Sequence, residues 1–80
     1  MPLEHHPLHR EFPEFIDPLQ RLLASDGHFS RLAEEYAALD TRIYEVERGR
    51  EAMDELVLQG LKLQRVALKD DIEERLRKAL

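Results

Sequence analysis

The chain has 80 residues, no cysteine and a formal net charge of -5, and 36% of its residues are charged. A domain this short buries only about 60% of its unfolded surface, so little apolar burial offsets the entropy of the chain. The absence of cysteine excludes disulfides and thiolate metal sites, and nothing indicates an oxidising compartment. We therefore expect a single cytoplasmic domain that gains stability by forming a homo-oligomer.

Charge is distributed unevenly along the chain. Residues 1–55 hold 13 acids and 6 bases, a net of -7, whereas residues 56–80 hold 4 acids and 6 bases, a net of +2. The two parts should attract each other, which favours a chain folded back on itself. The acidic total argues against binding of nucleic acid. No apolar run approaches the roughly 18 residues of a membrane span, so we expect no membrane partner.

Residues 1–12 contain two prolines and three of the four histidines, without a sustained period, and they predict an extended N-terminal arm. His5 and His9 are four residues apart, a spacing that aligns two metal ligands on a helix. Pro7 lies between them and disfavours a helix through both. We therefore predict no metal site here.

A first short helix is predicted over residues 13–24, because Pro13 suits a first helical position. Asp17 followed by Pro18 offers a second start signal, in which Asp17 is the N-cap. Pro18 would also interrupt a helix that began at Pro13. We therefore expect a kink or a restart at Pro18.

A second helix is predicted over residues 27–47, with Asp26 as its N-cap. Its apolar residues are spaced 3, 4, 3, 4 and 3 apart, which is the heptad pattern of a coiled-coil seam. These seam residues are Phe29, Leu32, Tyr36, Leu39, Ile43 and Val46.

A third helix is predicted over residues 53–79, after a charged connection that contains Gly49. It is longer than the second helix, so it leaves room for the first helix to pack on the excess. The predicted fold is all-α, an antiparallel two-helix coiled-coil hairpin preceded by a short N-terminal helix. Residues 13–80 form the hairpin domain.

The third helix carries two apolar faces at about 100° per residue. The first, which should meet the second helix, comprises Val57, Leu58, Leu61, Leu68, Ile72, Leu76 and Ala79, and Leu58, Leu61, Leu68 and Ile72 are its main seam residues. Arg65 lies beside this face, and we expect its stem on apolar surface and its head in water.

A second apolar face points nearly opposite the first and consists of Leu56, Leu63 and Val66. Either the N-terminal helix and arm cover this face, or another copy of the protein does. Gly60 lies near the junction of the two faces, where it either permits close approach of another helix or is a tolerated weak point.

No residue pattern points to chemistry. Gly27, Gly49 and Gly60 are too far apart for a phosphate-binding loop, and neither Ser25 nor Ser30 has a convergent His and Asp pair. We therefore predict no catalytic residue, no cofactor and no small-molecule substrate.

The basic residues suggest the alternative function, an RNA- or ribosome-associated regulatory binder. The side chains that could contact phosphates are Arg48, Arg50, Lys62, Arg65 and Lys69. Interleaved acids argue against a continuous basic groove.

Three segments resemble the YdcH-type family of small bacterial proteins: Phe12-Pro13-Glu14-Phe15, residues 26–32, and above all residues 63–72. The resemblance extends from about Glu4 to Leu76, with Pro18 and Gly60 as departures. It implies a small helical, coiled-coil protein of unknown function and brings no catalytic residues. Within the most family-like segment, we expect Lys69 and Asp70 to form ion pairs with the second helix rather than to contact a partner.

The main hypothesis is a non-enzymatic interaction protein. It would self-associate through Leu56, Leu63 and Val66 and dock an unidentified protein partner.

Overall fold

The computed structural model describes residues 7–80, and every structural statement below concerns this part of the chain. Its helices are α1 (Leu8–Glu11), a 3₁₀ helix (Pro13–Phe15), α2 (Ile16–Ser25), α3 (Gly27–Glu47) and α4 (Glu55–Lys78). No strand occurs between residues 7 and 80. The prediction of an all-α protein is therefore confirmed for the described residues.

The N-terminal segment differs from the predicted extended arm. Residues 8–11 form the single turn α1, in which the Arg10 and Glu11 backbone N–H groups donate to the Pro7 carbonyl at 3.0 Å. The turn carries Phe12 into the interior, where its side chain is 2% exposed. One helical turn is too short for apolar periodicity to reveal it. The remaining residues of the predicted arm, 1–6, lie outside the described part.

Helix α2 begins at Ile16, after the 3₁₀ turn, and not at Pro13. Pro18 is its third residue, a position whose N–H would have no partner within the helix. The predicted kink or restart at Pro18 is therefore wrong, because α2 runs through this residue without interruption. Asp17 is an exposed residue of the first turn, and Phe15 takes the N-cap position without a side-chain cap.

Both long helices are capped by aspartates. Asp26 accepts from the backbone N–H groups of His28 and Phe29 at 3.0 and 3.1 Å, and Asp54 accepts from that of Leu56 at 2.8 Å. Because α4 begins after its cap, it starts two residues later than predicted. Each such cap contributes about 1 kcal/mol to helix stability.

The connection from α3 to α4 begins with a C-terminal cap built on Gly49. Gly49 has a φ of 86°, a backbone conformation that glycine adopts without steric cost. Its N–H donates to the Val46 carbonyl at 3.1 Å, and the Arg50 N–H donates to the Glu45 carbonyl at 2.9 Å. This pair of hydrogen bonds is a Schellman motif, which ends α3 and turns the chain toward α4.

The main hydrophobic core lies where the N-terminal elements, α3 and α4 meet. Its buried members are Phe12, Phe15, Leu19, Phe29, Leu32, Tyr36, Ile72 and Leu76. The contributions of α4 come from its C-terminal half, and Leu68 packs against the same cluster. Ile43 and Leu58 are also buried but lie outside this cluster.

Polar contacts hold the N-terminal elements against the end of α4. The Arg21 guanidinium donates to the Ala79 carbonyl at 2.8 Å, and that of Arg77 lies 5.4 Å from the centre of the Phe15 ring. The Ser30 hydroxyl donates to the Leu23 carbonyl at 2.9 Å, which fixes the turn from α2 to α3. The N-terminal elements therefore cover the C-terminal half of α4.

Substitution Phe12→Ala should lower the free energy of unfolding by about 3 to 5 kcal/mol, because it removes a buried aromatic ring from the main core. Urea unfolding followed by circular dichroism measures the change. Leu80→Ala is the matched control, since Leu80 is 78% exposed and its loss should cost under about 0.5 kcal/mol. Equal effects of the two substitutions would show that Phe12 is not part of the core.

Candidate interaction surface

The second apolar face of the last helix, here called the α4 outer face, consists of Leu56, Leu63 and Val66. These side chains are 82%, 71% and 54% exposed in the single chain. Leu63 lies seven positions after Leu56, and Val66 lies three positions after Leu63, so all three lie on one side of α4. The N-terminal elements leave both leucines uncovered, because they pack toward the other end of the helix and reach only Val66, which lines a small cavity with Glu11.

The predicted seam residues occupy the interior side of the two long helices. Phe29, Leu32, Tyr36, Ile43, Leu58 and Ile72 are buried, and Leu39, Val46, Leu61 and Leu68 are partly buried. Val57 is an exception among the residues assigned to the inward face, since it is 52% exposed. On a helix it lies about 100° from Leu58, at the margin of the packed side, and so it reaches solvent.

Gly60 lies on the exposed side of α4. A Cβ atom built on this glycine meets no heavy atom within 4 Å. Packing within the chain therefore does not require a glycine at this position, although glycine costs a helix interior about 1 kcal/mol relative to alanine.

An ion pair between α3 and α4 lies close to the core. Arg65 Nη1 donates to Asp40 Oδ1 at 2.9 Å, and Asp40 is 4% exposed. The Arg65 head is expected in water from the sequence, but the side chain is only 20% exposed. The buried carboxylate of Asp40, assigned to no role from sequence, draws the guanidinium inward because a buried charge needs a partner.

Lys69 joins α4 to the N-terminal segment. Its Nζ lies 3.1 Å from Glu11 Oε1 and 5.8 Å from the centre of the Phe12 ring. The expectation of an ion pair with the second helix is therefore wrong for Lys69, whose carboxylate partner belongs to α1. The error follows from the misassigned arm, because Glu11 was not expected to reach α4. Asp70 is exposed.

Tyr36 lies beside these two ion pairs, and it forms a polar cluster with Glu11, Asp40, Arg65 and Lys69. Burial, together with the negative charges of Asp40 and Glu11, raises the pKa of the Tyr36 phenol from 10.0 to about 12, against the opposing effect of Arg65. The phenol therefore stays neutral at physiological pH. The cluster links the N-terminal elements, α3 and α4.

The basic side chains suggested for phosphate contact each lie near a carboxylate. Arg48 and Arg50 approach Glu45 at 4.0 and 3.7 Å, and Lys62 approaches Glu47 at 3.1 Å. Arg65 and Lys69 are paired as described above. A phosphate would have to compete with these acids, so the geometry does not favour a nucleic-acid interface.

The described residues bring together no metal-ligand set. Between residues 7 and 80, no three His, Asp or Glu side chains are grouped so that they could hold a metal ion. His9 is exposed on α1, and His5 lies outside the described part.

A groove of about 560 Å³ runs between α2 and α3. Its walls are mainly apolar, with Ile16, Leu19 and Leu23 on one side and Ala33 and Ala37 on the other. The buried acid in its lining, Asp40, is already paired with Arg65. The groove could accept an apolar group, and it contains no evident catalytic arrangement.

None of the helices that the structure describes has the length and apolarity needed to cross a bilayer. The cytoplasmic location stays a prediction.

Comparison with known protein families assigns the chain to one of them. The model of the family described as Protein of unknown function (DUF465) matches residues 29–76, which include most of α3 and α4. The chain belongs to this family, and the resemblance to YdcH-type proteins is thereby confirmed. No curated protein and no solved structure shows significant similarity to it.

The family match includes most of α4, and α4 also carries the outer face. Apolar periodicity predicts the α4 outer face but not the polar cluster. The position of Asp40 is the one indication of that cluster in the sequence, since Asp40 lies one residue after a seam position, on the side of α3 that faces α4. Its α1 partner Glu11 had no comparable signal.

Removing one member of the Asp40–Arg65 pair should destabilise the fold strongly. Arg65→Met leaves the Asp40 carboxylate buried without its arginine, and the free energy of unfolding should fall by about 3 to 5 kcal/mol. The double variant Asp40→Leu/Arg65→Met should recover most of that loss, because neither charge is then buried. Urea unfolding of the single and double variants tests this. A double variant as unstable as Arg65→Met would contradict the interpretation.

Stability should also fall at alkaline pH through Tyr36. The folded-state pKa of about 12 exceeds the unfolded value of 10.0, so the contribution is complete below pH 10 and is lost as the pH rises toward 12. A shift of this size corresponds to roughly 2 to 3 kcal/mol. Urea unfolding at pH 9 and pH 11 should show a larger loss for the wild type than for Tyr36→Phe.

The titration of Tyr36 can be followed directly in a Tyr44→Phe background, where Tyr36 is the one remaining tyrosine. Tyrosinate absorbance should show a mostly neutral phenol at pH 11. Half-ionisation near pH 10 in the folded protein would contradict the assigned environment.

Proposed function

We propose that the protein is a non-enzymatic, coiled-coil interaction protein that self-associates through the α4 outer face. The observation that carries this proposal is the exposure of Leu56, Leu63 and Val66 on one side of a well-packed helix. Scattered exposed apolar residues are ordinary, but a contiguous set usually marks an interface. A further protein partner at the same face stays a prediction.

The proposed architecture is an antiparallel hairpin of α3 and α4. Two inter-helix ion pairs support it, Asp40 with Arg65 and Glu47 with Lys62. From Asp40 to Glu47 the chain advances along α3, whereas the partner on α4 moves back from Arg65 to Lys62. This relation is expected of antiparallel helices. In this arrangement α3 covers one side of α4 and leaves Leu56 and Leu63 of the outer face directed away from it.

The size of the outer face sets the expected strength of association. Burying its three side chains in each of two copies contributes at most about 12 kcal/mol, at roughly 2 kcal/mol per fully buried side chain. Association costs roughly 4 to 15 kcal/mol in lost translational, rotational and side-chain freedom. At the low end of this cost the net gain is about 8 kcal/mol, which corresponds to a dissociation constant in the micromolar range and suits a reversible contact.

The RNA- or ribosome-associated alternative gains no specific support. Its suggested basic residues lie close to carboxylates, and the net charge is -5. Co-migration with RNA at low salt would still detect such binding, since a phosphate contact weakens steeply as salt increases.

Substitution Leu63→Glu should weaken self-association at least tenfold, because it would bury a carboxylate in the centre of the contact. Sedimentation over a concentration series that reaches high micromolar measures the effect, and circular dichroism should show unchanged helicity. Leu80→Glu is the matched control, since it introduces the same charge at an exposed leucine outside the face. A wild-type protein that stays strictly monomeric at high micromolar concentration would refute the proposal.

A further inference from the structure

We infer that the second copy packs on the α4 outer face with its own α4 antiparallel, about a two-fold axis that passes beside Gly60. This inference rests on the proposed self-association and adds the orientation and register of the two copies. Four features of α4 carry it: the apolar spacing, the open position at Gly60, the flanking charges and the acids that continue the face.

The apolar spacing is self-complementary in this register. In a two-fold contact, if residue i meets residue j of the other copy, residue j also meets residue i. An axis between residues 59 and 60 therefore places Leu56 opposite Leu63 of the second copy, and Leu63 opposite its Leu56. Each of the two most exposed leucines on the face is thereby covered.

Gly60 lies where the two helices would approach most closely. It is next to the axis, on the side of the helix that carries Leu56 and Leu63. The space around Gly60 is open, so a neighbouring helix can approach it without meeting other parts of the same chain. A close contact between copies accounts for a glycine that the fold of one chain does not require.

The flanking charges favour the antiparallel orientation. Glu55 and Lys62 are seven residues apart and lie on the same flank of the outer face. Antiparallel helices bring equivalent flanks together, and charges at such positions determine partner orientation. In the inferred register, Glu55 comes close to Lys62 of the second copy, and the two-fold axis repeats the contact. Lys62 would then lie between Glu47 of its own chain and Glu55 of the other.

The parallel alternative is opposed by acids farther along α4. Asp70 and Glu74 continue the outer face toward the C-terminus, and both are exposed. A parallel pair in register would place each of these acids opposite its own counterpart, where like charges repel. In the antiparallel pair, Asp70 and Glu74 lie beyond the N-terminal end of the other copy's α4.

Distance measurement between spin labels tests the orientation. The chain has no cysteine, so Lys78→Cys provides one attachment site, at a side chain 75% exposed and remote from the contact. The antiparallel pair should separate the two labels by about 55 Å along the helix axes, at 1.5 Å per residue from the axis. A parallel pair in register would bring them within roughly 20 Å of each other.

The outcomes separate the two proposals. A dimer with a label separation near 55 Å supports both. A dimer with a short separation overturns the antiparallel arrangement and leaves self-association standing. A labelled protein that sediments as a monomer at high micromolar concentration overturns both.

A second variant tests the position of the axis. Gly60→Gln adds a side chain that the single chain accommodates, and it replaces glycine with a better helix former. The monomer should therefore unfold at higher urea concentration while the dimer weakens at least tenfold. Ala38→Gln, which adds the same side chain at an exposed position of α3, should leave the dimer unchanged. An unweakened Gly60→Gln dimer would overturn the inferred axis.

Discussion

The packing of the N-terminal elements on one half of α4 is the constraint on which the rest of the structure depends. Phe12 and Phe15 join Phe29 of α3 and Ile72 of α4 in one core, so three parts of the chain share a single apolar interior. An 80-residue chain without disulfides has few other means of offsetting its conformational entropy. Since these elements are too short to cover all of α4, its N-terminal half keeps an uncovered outer side.

The polar cluster lies beside this core and joins the same three parts. Asp40 with Arg65 connects α3 to α4, and Glu11 with Lys69 connects α1 to α4. Asp40 with Arg65 is the buried pair, and a buried ion pair adds little net stability compared with apolar packing, whereas an unpartnered buried charge is costly. This pair should therefore disfavour alternative registers of the two long helices more than it increases the stability of the native one. That role is structural and leaves the outer face as the candidate functional surface.

The helical class, the long-helix periodicity and the outer face were accessible from sequence, because a regular heptad such as Phe29 to Ile43 reports directly on burial. The N-terminal segment was not. A single turn at residues 8–11 has no period, and the burial of Phe12 depends on contacts with residues far along the chain. The partner of Lys69 was misassigned for the same reason. Pro18 also misled, since a proline in the first turn and one in the helix interior look alike in sequence but differ in consequence.

The most direct measurement is a series of amide NMR spectra of the isotope-labelled protein from low to high micromolar concentration. If α4 contacts a second copy through its outer side, amide signals from about residue 55 to residue 67 should shift with concentration. Those of Phe29 and Ile72, which are fully buried in the core, should stay constant. Concentration-dependent shifts confined to the groove between α2 and α3, or no shifts at all, would contradict an interaction surface on α4.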